Sequence, residues 1–398
     1  MRDAWYLSRF TGLFRASGAA PRRPHDPAVA VWSGTPANRP ITGNVDAVGG
    51  AGWTDAAAEL AAVGEAVERW QTHPLPGDAT HRARAGELPG ALGPQAFVLF
   101  SPAQYAQPGF PFVPVPGDQP LDWVAFRRVA DGARAWVPRE LAFMDLRPGA
   151  LHRFTPAIST GWSAHARIDR AVLRGVQEVI ERDAVIGGWW GRYALESVPV
   201  EVSPALARAN LTYRGYRIAS PYSDHVTMVT VEGEDREGHC FAIGSACRET
   251  RAASLEKSTL EAVQGRHYVR YLRAQLAARG VTRIAVPHNF AEHAVAYSLD
   301  PSRLATTALA RATPARELGA PEPLAALLGR LGDAHAPIFR LMTPPALIQQ
   351  DLGWVVVRVI VPGLQPMHGD HALPFLGGPV WGDRPLSDWA AIPPHPFA

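Results

Sequence analysis

Cysteine is scarce in this chain: 398 residues contain two, Cys240 and Cys247. Their spacing fits neither a zinc knuckle nor a redox pair, and two cysteines cannot staple a chain of this length, which points to a reduced, cytoplasmic setting. Lysine is almost absent, and Gly-x-x-x-x-Gly-Lys-Ser/Thr does not occur. A Walker phosphate loop is therefore excluded, and any ATP has to be held by side chains and metal. No apolar run reaches the roughly eighteen residues of a membrane span, and Met1 to Tyr6 lacks the basic-then-apolar pattern of a secretion signal. The net charge is only +2, with acids and bases interspersed and neither a polybasic run nor an acidic tail. That balance argues against a dedicated binder of nucleic acid or of membrane surfaces. What remains is a globular protein, 47% hydrophobic, whose default substrate is a small molecule or a peptide.

Two copies of Glu-x-x-Glu-Arg stand out, Glu65-Ala66-Val67-Glu68-Arg69 and Glu178-Val179-Ile180-Glu181-Arg182. Residues three apart on a helix share a face, so each motif aims two carboxylates the same way among apolar neighbours such as Val63, Trp70, Val176 and Ile180. Burying an unpaired carboxylate costs several kcal/mol or forces it to take up a proton. Four converging glutamates would ask for arginines or hard metal ions. Magnesium meets that demand with oxygen ligands, usually one or two carboxylates plus the phosphates of a nucleotide. The plainer alternative is a pair of solvated faces with ion pairs at i, i+4, Glu65 with Arg69 and Glu178 with Arg182. A third segment, Glu261-Ala262-Val263-Gln264-Gly265-Arg266, repeats a polar pair three apart.

The first motif falls in a helix predicted over about 56–71, with Thr54-Asp55 at its N-cap and Pro74 and Pro76 beyond its end. The preceding run Gly49-Gly50-Ala51-Gly52 reads as a turn, or as backbone N–H groups offered to phosphates ahead of a helix. Strands are expected at 28–32, 96–100 and 135–137. The second motif lies in a helix over about 169–193, whose Trp189-Trp190 pair reads as core or as the lining of a substrate channel. A hairpin follows, with strands at 225–231 and 240–244 around a polar loop at 232–238, then a helix over 251–278 carrying the third segment. An amphipathic helix at 323–331 and a buried central strand at 354–361 complete the pattern. Long helices alternating with hairpins, without a βαβ rhythm, indicate an α+β fold with helices on a mainly antiparallel sheet. We read it as one domain over 1–398, with a lead-in at 1–50 and a proline-rich tail at 379–398. His368-Gly369-Asp370-His371 invites a zinc reading, but the glycine and the nearby Pro366 and Pro374 disfavour a two-histidine helix face, so structural histidines are expected. The cysteines read as small buried hydrophobes.

With its three acidic segments in place, the chain resembles the YcaO superfamily, ATP-dependent enzymes that modify peptide backbone amides. Ala61-x-x-x-Glu65-x-x-Glu68-Arg69 is similar to the family's first motif. Ile158-Ser159-Thr160-Gly161 leading to Glu178 through Ala184 is similar to the second, and Glu261-x-x-Gln264-x-Arg266 to the third. Phe97 to Ser101, Trp136-Val137-Pro138 and Val361 to Gln365 are further landmarks, and Pro394-His395-Pro396-Phe397-Ala398 resembles the alternating-proline tail of azoline-forming members. The resemblance implies that Glu65, Glu68, Glu178 and Glu181 coordinate magnesium bridging the phosphates of ATP. It implies that Glu261, Gln264 and Arg266 form a third wall against nucleotide, that Arg15 is a phosphate contact, and that Arg69 and Arg182 brace phosphates or carboxylates. It places the terminal Ala398 at the active site. The implied reaction is cyclodehydration of Cys, Ser or Thr in a ribosomal precursor peptide through a phosphorylated amide. A YcaO enzyme making a thioamide or macroamidine is the alternative, and a silent scaffold subunit the second. Three departures accompany the resemblance: Ala61 replaces a serine, the glycine run lacks the family's lysine, and Ala398 stands where a last proline is expected. An extra N-terminal domain is also missing, so the expected partner is a separate leader-binding, ubiquitin-activating-enzyme-like protein, in a homodimer or hetero-complex.

Overall fold

Three sheets meet along three long helices. In the computed structural model the described residues are 12–37, 47–74, 80–144, 153–315, 319–342, 348, 350 and 352–398; residues 1–11 and 38–46 of the lead-in, and Pro76, lie outside them. The chain begins with β1 (Phe14–Ala19), β2 (Ala30–Pro36) and β3 (Val48–Gly52), followed by α1 (Asp55–Gln71). Next come β4 (His81–Ala83), α2 (Pro102–Tyr105), β5 (Leu121–Arg128), β6 (Arg134–Pro138), α3 (Arg139–Ala142), β7 (Trp162–His165) and α4 (Ile168–Trp189). Then follow β8 (Leu195–Val198), β9 (Leu211–Ile218), β10 (Val226–Asp235), β11 (Gly238–Cys247) and α5 (Arg251–Ala278). The last elements are α6 (Phe290–Leu299), β12 (Thr313–Pro314), α7 (Leu324–Leu331), β13 (Ile338–Met342) and β14 (Val355–Ile360).

The strand orders are β1-β2-β3, β4-β5-β13-β14-β7 with β6 beside β5, and β11-β10-β9-β8-β12. Pairing is antiparallel apart from β12 with β8, so the α+β expectation holds. Strands β3, β7 and β11 each lie at an edge of their sheet. Helix α1 packs on β2 and β3 and reaches β7; α4 packs on β14, β7 and β11; α5 packs on β11, β10 and β3. Each helix therefore bridges two sheets, and together they close a triangle.

The glycine run is a strand, not a turn. A Cβ at Gly50 would sit 2.3 Å from the Ala58 carbonyl oxygen and 2.5 Å from the Ala62 nitrogen, so α1 lies directly on bare strand backbone. The same device recurs at Gly244, where a Cβ would meet the Ser258 carbonyl at 2.3 Å and the Ala262 nitrogen at 2.5 Å. Both helices start from a threonine cap, Thr54 accepting from the Ala57 N–H and Thr250 from the Ala253 N–H, which satisfies a donor the first turn cannot.

Other expectations shift by a few residues. The segment expected as a strand at 96–100 runs without ladder partners after a single turn at Pro94–Ala96; its carbonyls at Ala96 and Leu99 instead accept from the loop N–H groups of Gly363 and Gly377. Helix α4 stops at Trp189 because Gly191 adopts φ 76° and the Gly187 carbonyl is taken by the N–H groups of Arg192 and Tyr193. The expected polar loop of the hairpin is mostly strand, since β10 and β11 pair all the way from Val226 with Cys247 to Asp235 with Gly238. Glu232 and Glu234 there satisfy the period of two as well as apolar residues do. Trp189 and Trp190 are buried in the core around α4, with Val176, Ile180, Val357 and Phe397. Cys240 and Cys247 are free and buried, and burial pushes both thiols up to about 12. That makes them packing residues rather than nucleophiles.

Candidate active site

Each glutamate of the twin motifs takes a backbone N–H from a strand edge or its approach. Glu65 accepts from Gly49 of β3 at 2.8 Å, and Glu68 from Ala164 of β7 at 2.7 Å. Glu178 accepts from Gly161, just before β7, at 3.0 Å. Glu181 accepts from Cys247 of β11 at 3.0 Å and from the Ser245 hydroxyl at 2.6 Å. An edge strand presents N–H groups with no ladder partner, and here helix-borne carboxylates supply one. The twin motifs thus hold three sheet edges, two of them through α1 and two through α4, with the β7 region shared.

The charges are unequal in their surroundings. Glu68 has its carboxylate enclosed, and burial followed by the nearby Glu178 pushes it up to about 8, against the pull of the Ala164 N–H. Glu181 is likewise pushed up, first by burial and then by Glu261 of α5. Glu65, Glu68 and Glu178 therefore form one pole and Glu181 with Glu261 another. The four do not gather around a single point: among the described residues, no set of three glutamates brings its ligating oxygens within 4.8 Å of one another. A spread set of carboxylates suits two ions held on a polyphosphate better than one ion in a protein cage. Carboxylates raised by burial and by one another, as Glu68 and Glu181 are, suit a divalent cation, which would favour their charged form.

The flanking arginines keep their helical neighbours. Arg69 lies 3.4 Å from Glu65 and Arg182 3.8 Å from Glu178, so the plain ion-pair reading and the metal reading coexist. The two pairs are loose: Arg182 also reaches the Met367 sulfur at 3.0 Å and leaves its Nε without a partner. On α5, the amide of Gln264 lies where a Cβ on Gly49 would be, 2.8 Å away, beside the N–H that Glu65 takes. Glu261 pairs with Lys257 at 3.1 Å. Both thus border the site.

Arg266 does not. Its guanidinium is buried, 2.9 Å from Asp26 and 2.8 Å from Asp235, and Arg270 joins Asp26 at 2.6 Å. A side chain committed to two buried carboxylates fastens α5 to the segment after β1 and to β10, and the contact expected with nucleotide is redirected into structure. Arg15 is exposed on β1. The tail is buried from Pro394 to Phe397, whereas Ala398 is exposed and, among the described residues, makes no hydrogen bond or ion pair.

Two residues escaped the sequence. Arg358 on β14 is buried; burial pulls it down to about 10 while Glu178 pushes it up, and its Nε and Nη1 have no hydrogen-bond partner. It lines a half-open pocket together with Phe97, Ile158, Thr160, Val179 and Gln365. Its only signal was a charge interrupting the run Val355-Val356-Val357-Arg358-Val359-Ile360-Val361. Asp183, directly after the second motif, accepts from the Gln365 N–H and the Tyr193 hydroxyl. It pins the Pro362-Gly363-Leu364-Gln365 turn against α4, and burial raises it to about 6.

A family model described as YcaO cyclodehydratase, ATP- and Mg2+-binding, matches residues 49–365. No curated protein matches the chain in sequence. Among solved structures, a heterocyclase in complex with substrate and cofactor is 18% identical with a TM-score of 0.72, over 98% of this chain and 55% of that one. This chain thus spans about half of that heterocyclase. The YcaO protein of Methanopyrus kandleri, bound with AMPPCP and Mg2+, is 20% identical with a TM-score of 0.56, over 88% of this chain and 86% of that one. A chain of the E. coli microcin synthetase McbBCD complex is 12% identical with a TM-score of 0.64, over 96% of each. At these identities the structures establish the fold.

Proposed function

The chain belongs to the YcaO family of ATP- and Mg2+-binding cyclodehydratases, and from this we propose that it converts Cys, Ser or Thr of a ribosomal precursor peptide to thiazoline or oxazoline. The side chain of the peptide loses its proton and adds to the preceding amide carbonyl, closing the ring; the oxyanion so formed takes the γ-phosphoryl group of ATP, releasing ADP, and loss of phosphate together with the amide N–H proton forms the C=N bond of the azoline. The observation that carries this reading is the acidic site itself: carboxylates crowded by one another, each fixed by a backbone N–H and lacking a full complement of cations. Magnesium, when bound, would neutralise nucleotide phosphates there and stabilise the transferring phosphoryl group.

The protein's own residues orient that chemistry. Glu65, Glu68, Glu178 and Glu181 would hold the ions, Glu181 through oxygens that also accept from Ser245 and Cys247 of β11. Gln264 and Glu261 border the same space from α5, and Arg69 and Arg182, only loosely paired, are available to phosphate oxygens. Arg358 offers a buried, unpaired guanidinium between Glu178 and the pocket, suited to a developing oxyanion. Residues 1–398 act as one unit in this reading, and Ala398 of the tail approaches the site once substrate is bound. A separate leader-binding partner of the ubiquitin-activating-enzyme type is part of the proposal, in keeping with the near-complete match to one chain of a multiprotein synthetase. No described helix is long and apolar enough to cross a membrane, and the proposed setting is the cytoplasm.

Incubation with ATP, magnesium, a precursor peptide and the candidate partner, read by mass spectrometry, tests the reading. Loss of water at each modified Cys, Ser or Thr, matched by ADP and phosphate, is the expected result. An oxygen-to-sulfur mass gain in the presence of sulfide would replace cyclodehydration with thioamide formation, and ATP-independent behaviour with no peptide change would leave only a scaffold.

A further inference from the structure

Away from the acidic site, three histidines from distant parts of the chain meet in the core. His293 lies on α6, His368 in the loop after β14 and His395 in the C-terminal tail, and one ring nitrogen of each lies within 4.8 Å of the others. All three are about 1% exposed or less. A backbone carbonyl can only accept, so the ring nitrogen facing it must donate. His293 Nδ1 therefore donates to the His395 carbonyl at 2.6 Å, and His395 Nε2 donates to the His368 carbonyl at 2.7 Å. In a neutral imidazole this leaves the opposite nitrogen as a lone pair.

Those lone pairs lack adequate partners. His293 Nε2 and both ring nitrogens of His368 make no hydrogen bond, and His395 Nδ1 receives only the Phe397 N–H at 3.3 Å. Orphaned polar atoms this deep are rare in native proteins, and a bound ion is one of the standard reasons for them. A ring that donates one nitrogen to a backbone carbonyl and leaves the other as a lone pair is also the arrangement of metal-ligating histidine, where the outer hydrogen bond fixes the tautomer, and neutral imidazole is the form that binds metal.

We propose that His293, His368 and His395 bind a divalent transition-metal ion of the zinc class, which fastens the C-terminal tail to α6 and to the loop after β14. Imidazole donors select zinc-like ions over magnesium, so this site and the acidic one do not compete. His371, with Nδ1 unpartnered and its ring centroid 6.1 Å from those of His293 and His368, flanks the fourth coordination position, which it or a water fills. The rings of His293 and His395 are stacked at 3.9 Å, so when the ion enters His395 gives up its bond to the His368 carbonyl and turns about its Cβ–Cγ bond, while His293 keeps its carbonyl anchor. Nitrogens bound at 2.0–2.1 Å to a tetrahedral ion lie about 3.4 Å apart, so the cluster closes from separations of at most 4.8 Å.

The test uses the full chain without a histidine tag, stripped with chelator and titrated with cobalt(II) and then zinc. We expect one cobalt per chain with the intense visible absorption of a four-coordinate nitrogen site, its displacement by one zinc, and zinc-dependent slowing of amide exchange at His395 and Phe397, the two residues of 393–397 that are not proline. His368→Ala and His395→Ala should each weaken binding more than the roughly 10–100-fold typical of outer-shell changes, while the exposed control His81→Ala leaves it unchanged. Should a variant fail to fold, the exchange measurement on the unaltered chain decides alone. Absence of both the cobalt spectrum and the zinc-dependent protection overturns the proposal, as does metal binding that survives both substitutions.

Discussion

Helices α1 and α4 carry the same pentapeptide pattern, yet α1 leaves Leu60 in solvent whereas α4 buries residues nearly all round, from Val172 and Leu173 to Val185 and Ile186. The glutamates divide accordingly. Glu65 and Glu68 of α1 keep the company of Glu178, while Glu181 turns away to Ser245 and Cys247 and feels Glu261 instead. A repeated motif therefore does not imply a repeated environment. The spacing fixes which way two carboxylates point, and burial together with the neighbouring carboxylates decides that Glu68 and Glu181 are pushed up.

The largest effect should come from removing charge where the two motifs face each other. Glu68→Gln and Glu178→Gln should each lower peptide-dependent ATP turnover by roughly 100-fold or more, with the double variant little worse than either, as for groups that act as a unit. A phosphate-release assay reads this; unchanged turnover in Glu178→Gln would remove the metal assignment, and additive losses would separate the two walls. Next in size is the fit of helix to strand. Gly50→Ala and Gly244→Ala should each destabilise by about 1–3 kcal/mol or more in urea titrations, because the added methyl meets helix backbone, whereas Gly18→Ala, with nothing near its Cβ, stays within about 0.5 kcal/mol.

A smaller effect follows from the raised Glu68. A carboxyl that titrates near 8 when folded and near 4.5 when unfolded holds a proton in the native state that the unfolded chain has lost, so its contribution to stability falls as pH rises towards 8. Below about 6.5 the depressed histidines, His293 near 3 and His267 and His371 near 4, act in the opposite sense, and Asp183, raised to about 6, acts in the same sense as Glu68 but is mostly ionised above about 6.5. The clear window is pH 6.5 to 8, where metal-free protein should lose stability in thermal melts; magnesium with nucleotide, or Glu68→Gln, should flatten the slope. The smallest effect belongs to the chain end. Deleting the exposed Ala398 should change stability by less than about 0.5 kcal/mol, while Phe397→Ala, which empties a buried site, should cost roughly 3–5 kcal/mol; paired melts compare them.

Much of this is legible in the sequence where one residue pattern has one physical meaning. Apolar spacing, with the cap at Thr54 for the first, places the helices carrying the glutamates, and alternation places the hairpin. Legibility fails where a residue's role depends on something distant in sequence. Gly49 to Gly52 reads as a turn because nothing local says that a helix will lie on it. Arg266 reads as a nucleotide contact because Asp26 and Asp235, which claim it, are 240 and 31 positions away. Arg358 is hidden inside a β-branched run, and His293 gives no sign of meeting His368 and His395.

The triangle of sheets has a mechanical consequence. Because Glu68 ties α1 to the sheet of β7 and Glu181 ties α4 to the sheet of β11, no sheet can rotate against another without stretching an amide–carboxylate bond. Cations drawing the carboxylates inward would load those bonds and stiffen the whole assembly, so occupancy of the acidic site should be audible far from it, as slowed exchange of the edge amides of Gly49, Gly161, Ala164 and Cys247 together rather than one by one.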